Sequence, residues 1–563
     1  MLIIKKSAFF KIITCLIIGL FSPVYSQPLI EEPVIIKVLG INDFHGQISE
    51  GVKLNNRAVG SAPILAAFIK KAQQGYENSN LIALMGDQIS ASPPASGLLN
   101  DEPTILFLNS LANKECSADA RMNPQCNMVA TIGNHEFDKG QKALLEKIYG
   151  SDKPPVNNWI NLPRYPGASY PHVSANIVDA KTGEPLFPPY VIKKTNGITI
   201  AFIGAILKDA NEVITPSSLK GMAFLDEAKT INHYATEVKA KGADVVIVII
   251  HQGGKQEPYE GSTHESSAVE GKIVDVIKQF DDNVDVVMSG HTHAFMNAFL
   301  PNHHGKKILV TEANSYSASF AEVTLAVDKH AKAVLSKSAR IITTYADECP
   351  ETTVNLPATK ITKLAEEKVA PMIKDPVGVL QTDLIKKVNS GGESSLGDFV
   401  ADAMREEAGT DIALMNPGGL RANLYAGNVT YGSLYAIQPF GNLVLKISLT
   451  GQDIYELLEQ QWTPNNMIFL QVSGLSYRYD VTKPIGSRIV TIYHDGQLLQ
   501  RDKVYTVATN DFLAHGGDGF TVMRRGKIIN EVEKDLTLLI HYIKNLPQPF
   551  SSGSGGRIQE VKT

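Results

Sequence analysis

Val245-Val246-Ile247-Val248-Ile249-Ile250-His251 decides the fold. An unbroken apolar run, rich in β-branched residues, suits a strand buried on both faces. A strand with one face in water would alternate apolar and polar residues instead. The run then stops at a histidine.

The same plan recurs on either side. Val34–Leu39, Leu81–Met85, Met128–Ile132, Ile198–Ile203 and Val284–Met288 are further short apolar runs. Ala62–Gln73, Lys139–Tyr149, Asp226–Lys241 and Ser267–Phe280 read as helices between them. Strands alternating with helices imply an α/β layered domain. In an open α/β sheet, ligands bind beyond the carboxyl ends of the strands. At those ends stand Asp43 and His45, Gly86-Asp87, Gly133-Asn134-His135-Glu136-Phe137-Asp138, His251, and Gly290-His291-Thr292-His293.

These residue types carry metal chemistry. One residue between Asp43 and His45, and between His291 and His293, puts each pair on one side of an extended segment. Gly86 and Gly133 let the backbone turn closely beneath an ion. Carboxylate, imidazole and amide oxygen together suit Zn, Mn or Co, with Mg as the harder alternative. A carboxylate can bridge two ions, and two divalent ions about 3.5–4 Å apart can activate water and stabilise an in-line displacement. That is phosphoester chemistry. A single His or Asp after a strand is more often a cap than a ligand. An ordered ladder of such stops makes coincidence a poor account. His172, His233, His264, His303, His304, His330, His494 and His541 lie outside the ladder and read as surface or local hydrogen-bonding residues.

The chain has 563 residues, which implies two domains. It is 44% hydrophobic and 20% charged, with a net charge of −5 and no long basic run. Bulk electrostatics thus argue against nucleic acid and anionic membranes as partners. Lys5, Lys6 and Lys11 precede the apolar stretch Ile12–Phe21, and Val24-Tyr25-Ser26 follows. Residues 1–26 read as a secretory signal peptide, too short in their apolar part for a stable membrane anchor. Its removal takes away three lysines and no acid, moving the net charge from −5 to −8. The expected location is periplasmic or secreted. In an exported chain, Cys116 and Cys126 suggest a disulfide across a local loop, with Cys349 outside it.

The first domain is expected over residues 27–350 and a linker with a bridging helix over 351–376. A second domain follows over 377–549 and a tail over 550–563. Pro357–Lys374 reads as the bridging helix, kinked or ended near Pro371. Leu396–Glu407 reads as a helix closed by Gly409.

The ladder resembles the five motifs of the calcineurin-like metallophosphoesterases. The resemblance implies a four-layer α/β fold around a β-sandwich. It also implies two ions, one held by Asp43, His45, Asp87 and His293, the other by Asp87, Asn134, His251 and His291. His135 would lie beside the phosphate, paired with Asp138, and stabilise charge or protonate the leaving oxygen. An Asp–His pair keeps an imidazole charged and oriented. Asp138 also suits the N-cap of the following helix.

The second half is similar to the C-terminal domain of 5′-nucleotidases. The similarity lies in Asn416-Pro417-Gly418-Gly419-Leu420-Arg421, Pro439-Phe440-Gly441-Asn442, and Asn510-Asp511-Phe512-Leu513-Ala514-His515-Gly516-Gly517-Asp518-Gly519-Phe520. It implies a smaller α/β substrate-binding domain. Asn416 and Arg421 would sit at the phosphate, Phe440 and Phe512 at the base, and Asp518 at the ribose, with Gly419 also among the substrate-binding residues. It further implies rotation of the domains about a hinge near residues 374–378.

The chain departs from the family pattern in three places. Asn389-Ser390-Gly391-Gly392-Glu393 carries no arginine where members often have one or two. Pro417 replaces a more usual Gly, and some members place Gln where His293 stands. The expected activity is an exported, two-metal phosphohydrolase acting on nucleoside 5′-monophosphates. UDP-sugars, dinucleotide pyrophosphates and 2′,3′-cyclic nucleotides are the alternative substrates. A nucleotide-binding protein on an inactive scaffold is the alternative of another class.

Overall fold

A computed structural model describes residues 32–265, 268–350, 356–463, 467–553 and 555–562. The expected signal peptide and residues 351–355 of the linker lie outside the described residues.

Two sheets form the first domain. In spatial order the first holds Ala333–Thr343, Ser319–Asp328, Val34–Ile41, Asn80–Met85 and Met128–Thr131. The second holds Phe295–Pro301, Lys307–Ala313, Val286–Ser289, Val245–His251, Ile198–Ile206 and Tyr190–Thr195. Val34–Ile41, Asn80–Met85 and Met128–Thr131 run parallel, as do Ile198–Ile206, Val245–His251, Val286–Ser289 and Lys307–Ala313. The sheets pack face to face, with Ile36, Val38, Leu81 and Ala83 against Phe202, Ile247, Ile249 and Met288.

Helices cover both outer faces. Ala62–Gln73, Glu102–Leu111 and Pro357–Ile373 pack on Leu39, Ile41, Ile82 and Leu84 of the first sheet. Glu227–Ala240 and Lys272–Ile277 pack on Ala201, Ile203, Val246 and Val248 of the second. The result is a four-layer α/β sandwich. It explains the opening run: Ile247 and Ile249 face the other sheet, Val246 and Val248 face the helices, and none has a wet side. Each such side chain contributes about 1.5–3 kcal/mol on burial.

Two expectations shift here. The helix expected over Ser267–Phe280 spans Lys272–Ile277, and Ser267 lies outside the described residues. Lys255 and Glu270 pair as a β-bridge, and Gly271 turns at φ 115 with its α-carbon side against Gly254, so the helix starts only beyond it. The bridging helix Pro357–Ile373 is no free linker. Ala358, Ile361, Ala365 and Val369 belong to the first domain's core. Pro371 lies in its last turn, and the helix ends two residues later at Ile373.

The second domain centres on a sheet ordered Gln471–Ser473, Ile412–Met415, Val504–Asn510, Leu443–Thr450 and Lys527–Lys534. Ser395–Ala408 and Asp535–Asn545 cover one face, and Gly451–Glu459 the other. Ser394 caps the first of these helices through Gly397 N–H, and Gly409 closes it at φ 56. Described residues of the expected tail pack into this domain. Ile558–Glu560 pairs parallel to Leu475–Tyr479, with Ile558 buried. Arg557 donates to both oxygens of Asp402 at 2.8 and 2.7 Å, and Glu393 accepts from Gly556 and Arg557 N–H. The pairing partner lies far upstream, so no local pattern in a short Ser/Gly-rich end announces it.

Cys116 and Cys126 are bonded to each other. Among the described residues, no helix is long and apolar enough to cross a membrane.

Candidate active site between the domains

The turns that carry the candidate ligands gather where the parallel strands of both sheets end. They do not gather as extended segments. Asp43 and His45 sit at φ 48 and 47, Asp87 at φ 50, and His291 and His293 at φ 84 and 55. The spacing logic of an extended chain is thus replaced by left-handed turns, which are uncommon for non-glycine residues and concentrate at functional sites. Surrounding bonds hold the turns. His45 N–H donates to Asp87 O at 3.0 Å, and His291 N–H to the Asp43 carboxylate at 3.0 and 3.1 Å. At Gly86 (φ 80) a Cβ would lie 2.6 Å from Gly133 N and 2.7 Å from His251 Nδ1. At Gly133 it would lie 2.2 Å from Asp87 Oδ1, so neither position admits a side chain.

Lone pairs converge in the centre. His251 Nδ1 lies 2.8 Å from Met85 O. A carbonyl only accepts, so Nδ1 carries the proton and Nε2 presents a lone pair. That lone pair faces Asp87 Oδ2 at 3.1 Å and Asn134 Oδ1 at 3.0 Å. His45 repeats the pattern: Nδ1 faces Ser90 O at 3.0 Å, leaving Nε2 3.1 Å from His293 Nε2. Asn134 Oδ1 also lies 3.1 Å from His291 Nδ1, and His293 Nε2 lies 3.5 Å from Asp43 Oδ1. Acceptors turned toward acceptors need a proton or a cation between them, and second bonds that fix the imidazole tautomer are the usual support of a metal ligand.

Three groups have atoms close enough to share an ion: Asp43, His45 and His293; Asp87, His251 and His291; and His45, Asp87 and His135. Asp87 belongs to two of them. The donor chemistry fits divalent cations.

The electrostatics agree. Burial opposes ionisation of Asp43, but His293 outweighs it and lowers the carboxyl to about 2. Asp87 is likewise buried, and His251 and His135 hold it well below the usual carboxylate range. Burial, helped by His293 and opposed by Asp87, keeps His45 well below its ordinary value, and burial with His251 takes His291 down to about 4. His251 is pushed the other way. Burial disfavours its charge, yet Asp87 and Asp43 raise it to about 10. A bound cation would compete with that proton.

His135 stands at the edge of the cluster. Its Nδ1 lies 2.8 Å from Asp138 Oδ2, which also accepts from Ser90 Oγ at 2.5 Å. The N-cap position of the next helix belongs to Lys139, not Asp138. Burial works against the charged imidazole, but Asp138 and then Asp87 outweigh it and raise its pKa.

The second domain closes over this cluster. Asn416, Gly419 and Arg421 follow the strand Ile412–Met415; Phe512 and Asp518 follow Val504–Asn510. With Phe440 they face Asp87, Asn134, His135, His291 and His293 across a cavity of about 350 Å³. Asp43, His45 and His251 lie buried beneath it. Phe440 stacks on His135 with centroids 5.5 Å apart and planes at 20°. Phe512 packs on Gly517, where a Cβ would meet the ring at 2.5 Å. Asp518, at φ 56, accepts from Asn416 Nδ2 at 2.9 Å, and burial pushes its carboxyl up to about 6. Arg421 donates to Tyr316 Oη at 2.8 Å, so it reaches across the interface.

A larger interdomain cavity of about 780 Å³, bordered by Lys208, Phe224, His515 and Arg524, contains none of the candidate ligands. The smaller one holds the convergent polar groups, which mark a site better than volume does.

Sequence reasoning passed over several residues. The Glu136 carboxylate accepts from the N–H groups of Asp87, Gln88 and Gly133 at 2.8, 2.7 and 2.6 Å, tying two ligand turns together. Burial and then the Asp87 charge push it up to about 7. Glu312 is fully buried and accepts from Thr292 N–H at 3.0 Å and from its hydroxyl at 2.8 Å, holding the turn between His291 and His293. Its signal was available: the apolar run Ile308–Val310 is followed by Thr311 and then an acid, Glu312. Tyr316 had no signal, since only the tertiary contact to Arg421 marks it.

Comparison with known proteins matches residues 36–295 to the calcineurin-like phosphoesterases and residues 374–525 to the 5′-nucleotidase C-terminal domain. Endonuclease YhcR of Bacillus subtilis is 32% identical over 94% of this chain, which spans 41% of that protein. Cell wall protein Lmo0130 of Listeria monocytogenes is 30% identical over 96% of this chain, which spans 71% of it. The crystal structure of a 5′-nucleotidase precursor from Thermus thermophilus shares the fold, with a TM-score of 0.76 at 24% identity, covering 94% of this chain and 100% of that one. With both domain types present in that order, the chain belongs to the 5′-nucleotidase family of phosphoric-ester hydrolases, whose phosphoesterase domain implies divalent metal ions.

Proposed function

We propose that the chain is an exported two-metal phosphohydrolase that removes the 5′-phosphate of nucleoside monophosphates. One observation carries this reading: Phe440, Phe512 and Asp518 face the candidate metal cluster across a single cavity. Rings suit the faces of a base, and a carboxylate suits ribose hydroxyls.

Asp43, His45, Asp87 and His293 would hold one ion, and Asp87, Asn134, His251 and His291 the other. Zn, Mn or Co suits this donor set, with Mg as the alternative. Two such ions, when bound, supply an activated water and stabilise the oxygens of an in-line displacement. The chain's own residues do the rest. Arg421 and Asn416, beside Gly419, hold the phosphate oxygens, Arg421 through a planar fork. Phe440 and Phe512 hold the base, and Asp518 the ribose. His135 gives its Nε2 proton to the departing 5′-oxygen while Asp138 holds Nδ1. Export draws support from the Cys116–Cys126 bond, since disulfides persist in oxidising compartments.

A second reading keeps the site and changes the substrate to UDP-sugars, dinucleotide pyrophosphates or 2′,3′-cyclic nucleotides. The segment 389–393 favours it, because it brings no arginine and commits Glu393 to the 556–557 backbone.

Purified protein with AMP, UDP-glucose and 2′,3′-cAMP, each with Mn and with Zn, separates the readings. Release of phosphate from AMP, abolished by Asp87→Asn, is expected. Absence of AMP turnover beside hydrolysis of another substrate overturns the first reading in favour of the second.

A further inference from the structure

Tyr316 belongs to none of the ligand turns, yet the fold goes to some trouble to place it. Its backbone sits at φ 54, with Asn314 at φ 50 and Ser317 at φ 58. For a bulky residue this is strained backbone, which persists only where its surroundings over-determine it. They do: Tyr316 N–H donates to Asp43 O at 2.8 Å. The ring lies 5.3 Å from that of His45 and 5.4 Å from that of His293. Those ring contacts would serve a phenylalanine equally well. Only the hydroxyl does something further, and what it does is accept from Arg421 Nη2 of the other domain at 2.8 Å.

Arg421 has little else to orient it. Nη1 reaches Gly418 O at 3.3 Å, and Nε is buried with no hydrogen-bond partner. A guanidinium is a rigid plane, so its two Nη contacts, one from each domain, set where the fork points. The fork lies over Phe440, 5.7 Å from the ring centroid.

We propose that Tyr316 is a positioning residue: its hydroxyl aims the Arg421 fork at the phosphate and thereby couples the two domains at the point where the phosphate sits. This rests on the reading of Arg421 as a phosphate contact. It offers a way for the chain to grip phosphate without arginines in segment 389–393, since one arginine fixed from both sides binds with less ordering cost than a mobile one.

The test is a double-mutant cycle on the full chain with Mn: wild type, Tyr316→Phe, Arg421→Ala and the double variant. Tyr316→Phe keeps the ring and loses the hydroxyl. It is expected to lower kcat/KM for AMP about tenfold or more, mainly through KM, as for loss of a hydrogen bond to a charged group. Bound metal, measured by atomic absorption, is expected unchanged. On the Arg421→Ala background the same change is expected to be silent within a factor of about two. Arg421→Lys gives a second background, with no planar fork to aim, and silence is expected there too.

An undiminished effect on either background overturns the proposal, as does loss of metal in Tyr316→Phe or wild-type kinetics in that variant. If the wild type leaves AMP intact, the nucleotidase reading fails by itself. The same cycle then runs on p-nitrophenyl phosphate and still decides the role of Tyr316.

Discussion

His135 and Asp138 show what a single contact adds to a motif. The 2.8 Å bond between them settles which group the carboxylate serves, and the helix takes its N-cap elsewhere. With its pKa raised, His135 keeps its proton further into the alkaline range than an ordinary imidazole and loses it as pH climbs through the raised value. Asp138→Asn removes the largest favourable charge. The alkaline limb of the kcat/KM profile should therefore move to lower pH, with metal content unchanged. A limb that stays in place would remove Asp138 from the mechanism. Phe512 and Asp518 make a complementary case. Phe512→Ala should raise KM for AMP about tenfold, in keeping with the loss of base stacking. Hydrolysis of p-nitrophenyl phosphate, which has no nucleoside, should hardly change. Equal losses on both substrates would instead mark Phe512 as a packing residue.

At the scale of elements, the strand ends do the positioning and buried acids hold them there. Glu312 fixes the turn that carries His291 and His293, so Glu312→Gln should weaken metal binding about ten- to a hundredfold, as loss of a supporting shell commonly does. Metal titration of the purified protein measures this, and affinity equal to wild type would make Glu312 a mere core acid. The C-terminal strand Ile558–Glu560 is the other instructive element. Arg557 clips it to Asp402, and both side chains are about one-fifth exposed at 19% and 20%. Arg557→Ala should cost about 1.5–3 kcal/mol of second-domain stability, the range for hydrogen bonds to charged groups. Thermal unfolding would register it, and an unchanged Tm would mean the strand docks without the clip.

Across the whole molecule, the proposed function divides the chemistry between the two domains: one brings the candidate cation donors, the other the groups that suit a nucleoside. Because a cation held by the converging donors binds the folded domain and not the unfolded chain, chelation should lower the Tm of the first domain as well as stop hydrolysis, and added Mn should restore both. A chelator that abolishes activity without moving Tm would place the ions outside the folded cluster.

The sequence alone determined the layered α/β plan and the ladder of donors, because both are periodic and local. Val245–Ile250 reads as a strand with no wet face, and a His or Asp that ends such a run is visible without a neighbour. Helix Ala62–Gln73 was legible to the residue for the same reason. Only the tertiary structure decided the rest. It showed that left-handed turns, not extended pairs, aim Asp43, His45, His291 and His293. It paired Ile558–Glu560 into a sheet, packed the bridging helix into the first core, and set Tyr316 against Arg421. Each of these depends on a contact between residues far apart in the chain, and such contacts leave no pattern along it. A strand pairs, a strained turn persists and a fork is aimed only when the partner has already been brought there by packing.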